Sequence, residues 1–155
     1  MITLATGNLL DAKVDALVNP VNTVGVMGKG LALQFKKAFP ANFRAYEGAA
    51  KAGALEIGKM FVFASEAAPR YIINFPTKRH WREPSKLAYV ESGLRDLVAV
   101  VRERDIRSLA VPALGAGLGG LAWSDVRPLI ERAFAEIADV AVLLFEPSSG
   151  AGTTS

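Results

Sequence analysis

Cysteine is absent from this 155-residue sequence, and histidine occurs once, at His80. A protein without cysteine has no disulfide, no thiolate metal ligand and no cysteine nucleophile. A single histidine leaves little from which to build a zinc site, and a Ser-His-Asp triad would depend entirely on His80. We therefore expect a protein that uses no metal and no other cofactor.

Long apolar runs and a secretion signal are also missing. No apolar stretch approaches the roughly 18 uninterrupted residues that a membrane-spanning helix needs. The amino terminus lacks the basic region, apolar core and cleavage site of a signal peptide. The composition, with 51% hydrophobic and 21% charged residues, is typical of a globular protein. We expect a soluble, cytoplasmic protein without a membrane partner.

A large excess of charge of either sign is absent too, since the net charge is +3. Nucleic-acid binding therefore depends on where the basic residues lie. They concentrate in the segment Thr77–Pro84, where Lys78, Arg79, His80 and Arg82 surround Trp81. Such a segment can hold a phosphodiester backbone while the indole stacks on an unpaired base. The alternatives are a solvated basic loop with a half-buried tryptophan, and a surface or capping role for the histidine.

The length fits one domain, because one hydrophobic core serves roughly 100 to 200 residues. Residues 148–155 are small and polar and cannot offset the entropy cost of ordering them. We expect a domain over residues 1–147, followed by a flexible tail or linker. Such a boundary would suit a further domain in a longer parent chain.

Short apolar runs alternate with segments of helical periodicity. The strands are predicted at Ile2–Thr6, Ala16–Val21, Met60–Ala64, Tyr71–Phe75, Ser108–Pro112 and Val140–Phe145. Helices are predicted from near Leu31, over about 43–52, after an N-cap at Ser85, and after an N-cap at Ser124 or Asp125. This alternation predicts a three-layer α/β/α domain with a mostly parallel, mixed six-stranded sheet. Ligands of such sheets bind at the carboxyl ends of the strands.

A glycine-rich loop, Asn19–Gly30, leads from the second strand into the first helix. Its glycines let the backbone approach a ligand, and the helix start offers unpaired N–H groups to a phosphate. A Walker A motif is excluded, because Gly25 and Gly28 are too close together and Gly30 follows Lys29. The alternative is a flexible turn that only reverses the chain.

A second glycine-rich loop, Gly115–Gly120, follows the fifth predicted strand and matches G-x-G-x-x-G. A Rossmann dinucleotide site needs further β-α-β units after this motif, but only one helix and one strand remain. Because each loop ends a strand and precedes a helix, the two could hold the two phosphates of one diphosphate between them.

The motifs together resemble the macrodomain family from residue 1 to about 145. The matching motifs are Gly7-Asn8-Leu9, Val14–Asn22, Gly28-Lys29-Gly30, Thr77-Lys78 and Gly115–Gly120. Two branches are most similar, the terminal ADP-ribose protein glycohydrolases and, more closely, the macrodomains of DarG-type antitoxins. The segments that carry this closer likeness are Met27–Phe39, Thr77–Arg79 and Leu118–Trp123.

The resemblance to the DarG-type branch implies a hydrolase that removes ADP-ribose from thymidine bases of single-stranded DNA. Its substrate would be ADP-ribosylated single-stranded DNA and its product ligand ADP-ribose. It would act as antitoxin to a DarT-type DNA ADP-ribosyltransferase. The alternatives are a glycohydrolase of ADP-ribosyl glutamate in proteins, and a non-catalytic reader that binds ADP-ribose.

The resemblance also implies catalytic roles for Lys78 and Asn22. Asn22 would hydrogen-bond the distal ribose, and its alternative role is to cap the loop. Lys78 would attack the ribose as a neutral amine, which needs a pKa lowered by burial or by a cation such as Arg79. A charged Lys78 would instead stabilise the departing base. The protein glycohydrolase has an aspartate where this sequence has Gly119, so we do not expect its covalent cycle to transfer intact.

The predicted binding residues form three groups, two that follow the resemblance and one, facing DNA, that rests on the basic segment. Asn8 and Leu9 would flank the adenine, with Asn8 standing where most macrodomains have an aspartate. The diphosphate would be held by Gly28, Lys29, Gly30, Leu31, Gly115, Ala116, Gly117, Leu118, Gly119 and Gly120. The DNA would be contacted by Arg79, His80, Trp81 and Arg82.

Overall fold

A mixed six-stranded sheet forms the middle layer of the computed structural model, which describes residues 1–147. Its strands are β1 (Ile2–Ala5), β2 (Ala16–Asn22), β3 (Phe61–Ala64), β4 (Tyr71–Lys78), β5 (Ser108–Val111) and β6 (Ala141–Phe145). All six predicted strands are confirmed with nearly the predicted bounds, except that β4 continues past Phe75 to Lys78.

The strand order is β1-β6-β5-β2-β4-β3, and only β3 runs antiparallel to its neighbour. This confirms the predicted mostly parallel sheet. The central strand β2 lies between β5 and β4, so the carboxyl ends of all three meet at one edge. The loops that leave this edge are the two glycine-rich loops and the basic segment after β4.

Helices cover both faces of the sheet, as predicted. They are α1 (Gly30–Ala38), α2 (Pro40–Lys51), α3 (Leu87–Glu103) and α4 (Trp123–Ala135). Successive residues of β2 point to opposite faces, as the pleat requires. Leu17 belongs to the apolar core shared with α1 and α2, and Val18 to the core shared with α3 and α4. Three layers result.

Three helix starts differ from the sequence prediction. The second helix, predicted from about residue 43, begins at Pro40. Lys86 is the N-cap of α3 and makes no side-chain cap bond, so Ser85 is not the cap. The Ser85 backbone N–H instead donates to the Gly119 carbonyl at 2.9 Å, which binds this residue to the second glycine loop. Ala122 precedes α4, so Ser124 and Asp125 lie inside its first turn rather than at its cap.

The tail predicted over residues 148–155 lies outside the described residues. None of the described helices combines the length and apolar composition needed to cross a membrane.

Candidate active site

A cavity of about 360 Å³ opens at the edge of the sheet where β2, β4 and β5 end. Its wall combines the end of β2, the first glycine loop, the start of α1, the end of β4 and the second glycine loop. The lining residues are Pro20, Val21, Asn22, Val26, Gly28, Lys29, Ala32, Thr77, Lys78, Trp81, Gly115, Ala116, Leu118 and Gly119.

The cavity brings together residues from all three predicted segments. Both proposed catalytic residues line it, together with parts of both glycine loops and one aromatic residue of the basic segment. The predicted site residues on the wall are Asn22, Gly28, Lys29, Lys78, Trp81, Gly115, Ala116, Leu118 and Gly119. Those that do not line this cavity are Asn8, Leu9, Gly30, Leu31, Gly117, Gly120, Arg79, His80 and Arg82.

Five wall residues were not among the predicted site residues, namely Pro20, Val21, Val26, Ala32 and Thr77. Four of them have apolar side chains, which carry no chemical signature of a site, and Thr77 belongs to the basic segment that was predicted to bind DNA. For Val26 the sequence held a signal, since this residue stands between two glycines of the first loop.

The carboxamide of Asn22 organises the first glycine loop. Its Oδ1 accepts hydrogen bonds from the backbone N–H groups of Val24 at 3.1 Å and Val26 at 3.3 Å. Its Nδ2 donates to the Val26 carbonyl at 2.8 Å. The loop-capping role, left open by the sequence, is therefore present. These bonds use one of the two Nδ2 hydrogens, so the other remains for a ligand in the cavity.

The start of α1 lies in the cavity wall and is electrostatically positive. Lys29 is its N-cap, with extended backbone and no side-chain cap bond, and the helix begins at Gly30. The first-turn N–H groups are therefore not capped by the Lys29 side chain. Together with the Lys29 ammonium they form a site that attracts an anion.

The second glycine loop has backbone conformations at three of its positions that favour glycine. Gly115, Gly117 and Gly120 have φ of +75°, +67° and +83°, which favours glycine. A Cβ on Gly119 would lie 2.7 Å from Ser85 Oγ. The backbone of this loop lines the cavity directly and packs against Ser85, which lies two residues before α3. An aspartate at position 119 would require Ser85 to move.

Lys78 is the last residue of β4, and its amine has an altered acidity. Burial, and to a lesser extent the nearby Lys29 ammonium, lowers the pKa of Lys78 below its ordinary value. The Lys78 Nζ donates to the Trp81 carbonyl at 3.4 Å. The lowered pKa of Lys78 agrees with the sequence prediction, but the cation that lowers it is Lys29 and not the predicted Arg79. Arg79 was wrong as the cause, because its guanidinium lies over the Tyr89 ring at 5.7 Å.

The basic segment after β4 presents its tryptophan to solvent. Trp81 is 42% exposed and lines the cavity, and the Arg82 guanidinium lies 4.5 Å from its ring centre. His80 accepts a hydrogen bond at Nδ1 from the Arg82 backbone N–H at 3.1 Å, which is a capping role. Thr23 bonds the Arg79 carbonyl with both its N–H and its hydroxyl, so this segment is joined to the first glycine loop.

The residues predicted to flank an adenine lie apart from the cavity wall. Asn8 is exposed and caps a 3-10 turn, Leu9–Asp11, by accepting from the Leu10 N–H at 3.0 Å. Leu9 is buried in the core beneath α1 and α2. Within residues 1–147, no three Asp, Glu or His side chains cluster in a way that could hold a metal ion.

The Macro domain family matches residues 18–130 of this chain, a range that contains every residue of the cavity wall. A DNA ADP-ribosyl glycohydrolase from Mycobacterium tuberculosis is 55% identical over 152 residues, which cover 97% of this chain and 43% of that protein. The solved macrodomain of Mycobacterium tuberculosis DarG has a TM-score of 0.94 and 55% identity, covering 96% of this chain and 99% of that one.

Similarity extends to proteins of Thermosipho africanus. A DNA ADP-ribosyl transferase-DNA ADP-ribosyl glycohydrolase fusion protein is 37% identical over 163 residues, covering 94% of this chain and 42% of the fusion protein. The structure of DarTG in complex with ADP-ribose has a TM-score of 0.88 and 39% identity, covering 94% of this chain and 41% of that one. The present chain thus spans less than half the length of both of these curated relatives.

Proposed function

This chain belongs to the macro domain family, and from that membership we propose that it hydrolyses the bond between ADP-ribose and a thymine base in single-stranded DNA. The observation that carries the proposal is the position of Lys78. Its amine, with a lowered pKa, lines a cavity whose wall also includes both glycine loops and Asn22. The similar proteins named DNA ADP-ribosyl glycohydrolase support this activity.

The cavity suits the diphosphate of ADP-ribose. Its volume of about 360 Å³ falls within the roughly 300 to 1,000 Å³ of small-molecule sites. The Lys29 ammonium and the start of α1 provide positive potential in one part of the wall. Another part of the wall is formed by Gly115, Ala116, Leu118 and Gly119 of the second glycine loop. The relative solved in complex with ADP-ribose supports this ligand.

Two chemical routes would use this geometry. In the first, the neutral Lys78 amine attacks C1 of the distal ribose, the base leaves with the bonding electron pair and takes a proton, and water later hydrolyses the resulting adduct. In the second, a protonated Lys78 stabilises the departing base while water attacks C1 directly. In both, water supplies the hydroxyl on C1 and the proton on the base. The lowered pKa of Lys78 supports the first route, and the lack of a side chain at Gly119 supports the second.

The basic segment supports DNA as the substrate. Trp81 is exposed beside the cavity, with an arginine on its ring and His80 at 5.0 Å between ring centres. An aromatic ring next to positive charge is the arrangement on which unpaired bases stack. Arg79, His80, Trp81 and Arg82 would therefore hold the strand while the modified thymine enters the cavity.

The biological partner would be a DarT-type DNA ADP-ribosyltransferase, whose modification this chain would remove as an antitoxin in the cytoplasm. Support comes from the Thermosipho africanus protein that joins a DNA ADP-ribosyl transferase and a DNA ADP-ribosyl glycohydrolase in one chain. Enzymes that add and remove the same group act on one substrate, so a shared chain keeps both at the same DNA.

A comparison of two substrates tests the proposal. The chain is incubated with a single-stranded oligonucleotide carrying one ADP-ribosylated thymine and, separately, with a peptide carrying ADP-ribosyl glutamate. We expect faster release from the oligonucleotide, and unchanged release by Lys59→Ala, which alters an exposed lysine paired with Glu56 outside the cavity. Faster release from the peptide would identify a protein glycohydrolase. Calorimetric binding of ADP-ribose without release from either substrate would identify a reader.

A further inference from the structure

One face of α2 contacts the loop that carries Asn22. Asn42, Tyr46 and Ala50 are spaced four residues apart, so they lie on the same side of the helix. Asn42 and Tyr46 are completely buried. This face points toward β2, β4 and the first glycine loop, although α2 contributes no residue to the cavity wall.

Tyr46 makes the contact that reaches Asn22. Its hydroxyl lies 2.8 Å from the Asn22 carbonyl and 2.8 Å from Asn22 Oδ1, and it donates its single hydrogen to one of them at a time. Burial raises the pKa of Tyr46 well above its ordinary value, against the opposing effect of backbone hydrogen bonds at Gly25, Asn22 and Val26. The phenol therefore remains a neutral donor over the whole range in which the protein would work.

The other two residues of this face hold α2 in place around that bond. Ala50 contacts Gly25, whose φ is +88° and where a Cβ would lie 3.0 Å from Ala50 Cβ. Asn42 exchanges hydrogen bonds with Asn74 of β4, at 3.2 Å and 2.8 Å. Asn74 also accepts from Asn19 of β2 at 3.1 Å. The helix is thus fixed to both strands and to the loop, which makes Tyr46 a rigid support.

The bonds of Asn22 to Val24 and Val26 join it only to the first glycine loop. The bond to Tyr46 differs, because it connects the carboxamide to a helix that is itself fixed to the sheet. It therefore gives the carboxamide a point of attachment outside the loop, which helps to orient the remaining Nδ2 hydrogen. A shift of about 1 Å in such a group can cost a large part of a reaction rate.

We infer that Tyr46 is a positioning residue for the hydrolysis proposed above: its hydroxyl holds the Asn22 carboxamide in the orientation that offers an N–H to the distal ribose. The inference rests on the proposed function, since it assigns Tyr46 a role in that reaction. Tyr46 acts through Asn22 and does not touch the substrate.

Tyr46→Phe removes the hydroxyl and keeps the ring in the core. We expect kcat on ADP-ribosylated single-stranded DNA to fall about tenfold, the effect of losing one aligned hydrogen bond in the transition state. KM and the Kd of ADP-ribose should stay within about twofold, because the phosphate-binding backbone is unchanged. The matched control is Tyr71→Phe, which removes a hydroxyl from the opposite end of β4, where it contacts Arg70 at 3.4 Å. An unchanged kcat, or a raised KM with kcat preserved, would overturn the inference.

A double-mutant cycle separates positioning from general destabilisation. If Tyr46 acts through Asn22, the combined Tyr46→Phe and Asn22→Ala variant should be no slower than Asn22→Ala alone. Rate losses that multiply would show that Tyr46 acts independently of Asn22, against the inference.

An activity-independent measurement keeps the inference distinct from the proposed function. In the NMR spectrum of the ¹⁵N-labelled chain, the side-chain amide pair of Asn22 is identified by its loss in Asn22→Ala. We expect ADP-ribose to shift this pair, and Tyr46→Phe to move it and speed its exchange with water even without ligand. If the wild type releases no ADP-ribose from DNA, the proposed function fails, and this spectrum still decides the positioning role. An Asn22 amide pair that is unchanged in Tyr46→Phe would refute that role.

Discussion

Asn22 and Lys78 are paired across the adjacent strands β2 and β4. Val21 pairs with Pro76 and Asn22 with Lys78, so Thr77 is the extra residue of an irregularity in β4. In a regular pairing without this irregularity, Thr77 would stand opposite Asn22. Such bulges change the direction of side chains and occur beside active sites. Here the bulge brings a carboxamide and an amine together on the wall of one cavity.

Replacing Lys78 tests whether its amine takes part in the reaction. Lys78→Ala should lower the release of ADP-ribose from single-stranded DNA at least about 100-fold, the usual effect of losing a nucleophile or acid-base group. Lys78→Arg keeps the charge but cannot form the adduct. It should be inactive if the amine attacks the ribose, and partly active if the charge stabilises the departing base. Single-turnover release measures both variants, and undiminished release by Lys78→Ala would remove this residue from the mechanism.

The lowered pKa of Lys78 predicts a pH dependence. Below that pKa the amine is protonated, and above it the amine is neutral. If the neutral amine attacks, the single-turnover rate rises with pH and levels off above the pKa; if the ammonium is needed, the rate falls there.

Lys29→Met removes the neighbouring cation, so the pKa of Lys78 should rise toward its ordinary value. The pH-dependent limb of the profile should then move to higher pH. Rates are measured with the chain in saturating excess, because Lys29 also lies where phosphate would bind. A limb that stays in place in Lys29→Met would show that another group titrates.

Position 119 should tolerate no side chain. In Gly119→Ala the new Cβ would lie 2.7 Å from Ser85 Oγ. Because Ser85 is buried and its N–H is bonded to the Gly119 carbonyl, we expect a shift of Ser85 to displace the second glycine loop, where the diphosphate is proposed to bind. We expect the Kd of ADP-ribose to rise about tenfold, which corresponds to roughly 1.4 kcal/mol. The control is Gly48→Ala in α2, where the Cβ meets nothing within 4 Å. It should preserve binding and stabilise the helix by roughly 0.5 to 1 kcal/mol. Equal affinities for Gly119→Ala and wild type would contradict the proposed phosphate site.

Trp81 should matter for DNA more than for ADP-ribose. Trp81→Leu removes the exposed ring, and stacking on a base contributes roughly 1 to 3 kcal/mol. We expect kcat/KM on ADP-ribosylated single-stranded DNA to fall about fivefold or more, while the Kd of free ADP-ribose changes less. Trp123→Leu, at the other tryptophan and outside the cavity, serves as control. Equal losses for DNA and for free ADP-ribose would place Trp81 against the ADP-ribose instead.

Much of the fold could be predicted because its signals are local. Each strand is a short apolar run bounded by Gly, Pro or Asp, and each glycine loop follows such a run directly. The edge at which ligands bind then follows from the parallel order of the strands. This sufficed to bring Lys78, Lys29 and Gly119 into one predicted site.

The remaining features depend on contacts between distant residues. Arg79 follows Lys78 in sequence but lies in the bend after β4, with its guanidinium over the Tyr89 ring. The cation that acts on Lys78 is Lys29, which is distant in sequence. Serine is a common N-cap residue, yet the Ser85 backbone N–H donates a hydrogen bond to the Gly119 carbonyl in the second glycine loop. Tyr46 reaches Asn22 across the helix layer, and a tyrosine within a helical segment carries no local sign of that bond.

The position of the distal ribose relative to Lys78 tests the whole account most directly. A crystal structure of this chain with ADP-ribose would measure the distance from Lys78 Nζ to C1 of that ribose. We predict that the diphosphate lies between the two glycine loops and that this distance is within about 4 Å, close enough for attack or for stabilising the departing base. A diphosphate bound outside these loops, or a distal ribose directed away from Lys78, would contradict it.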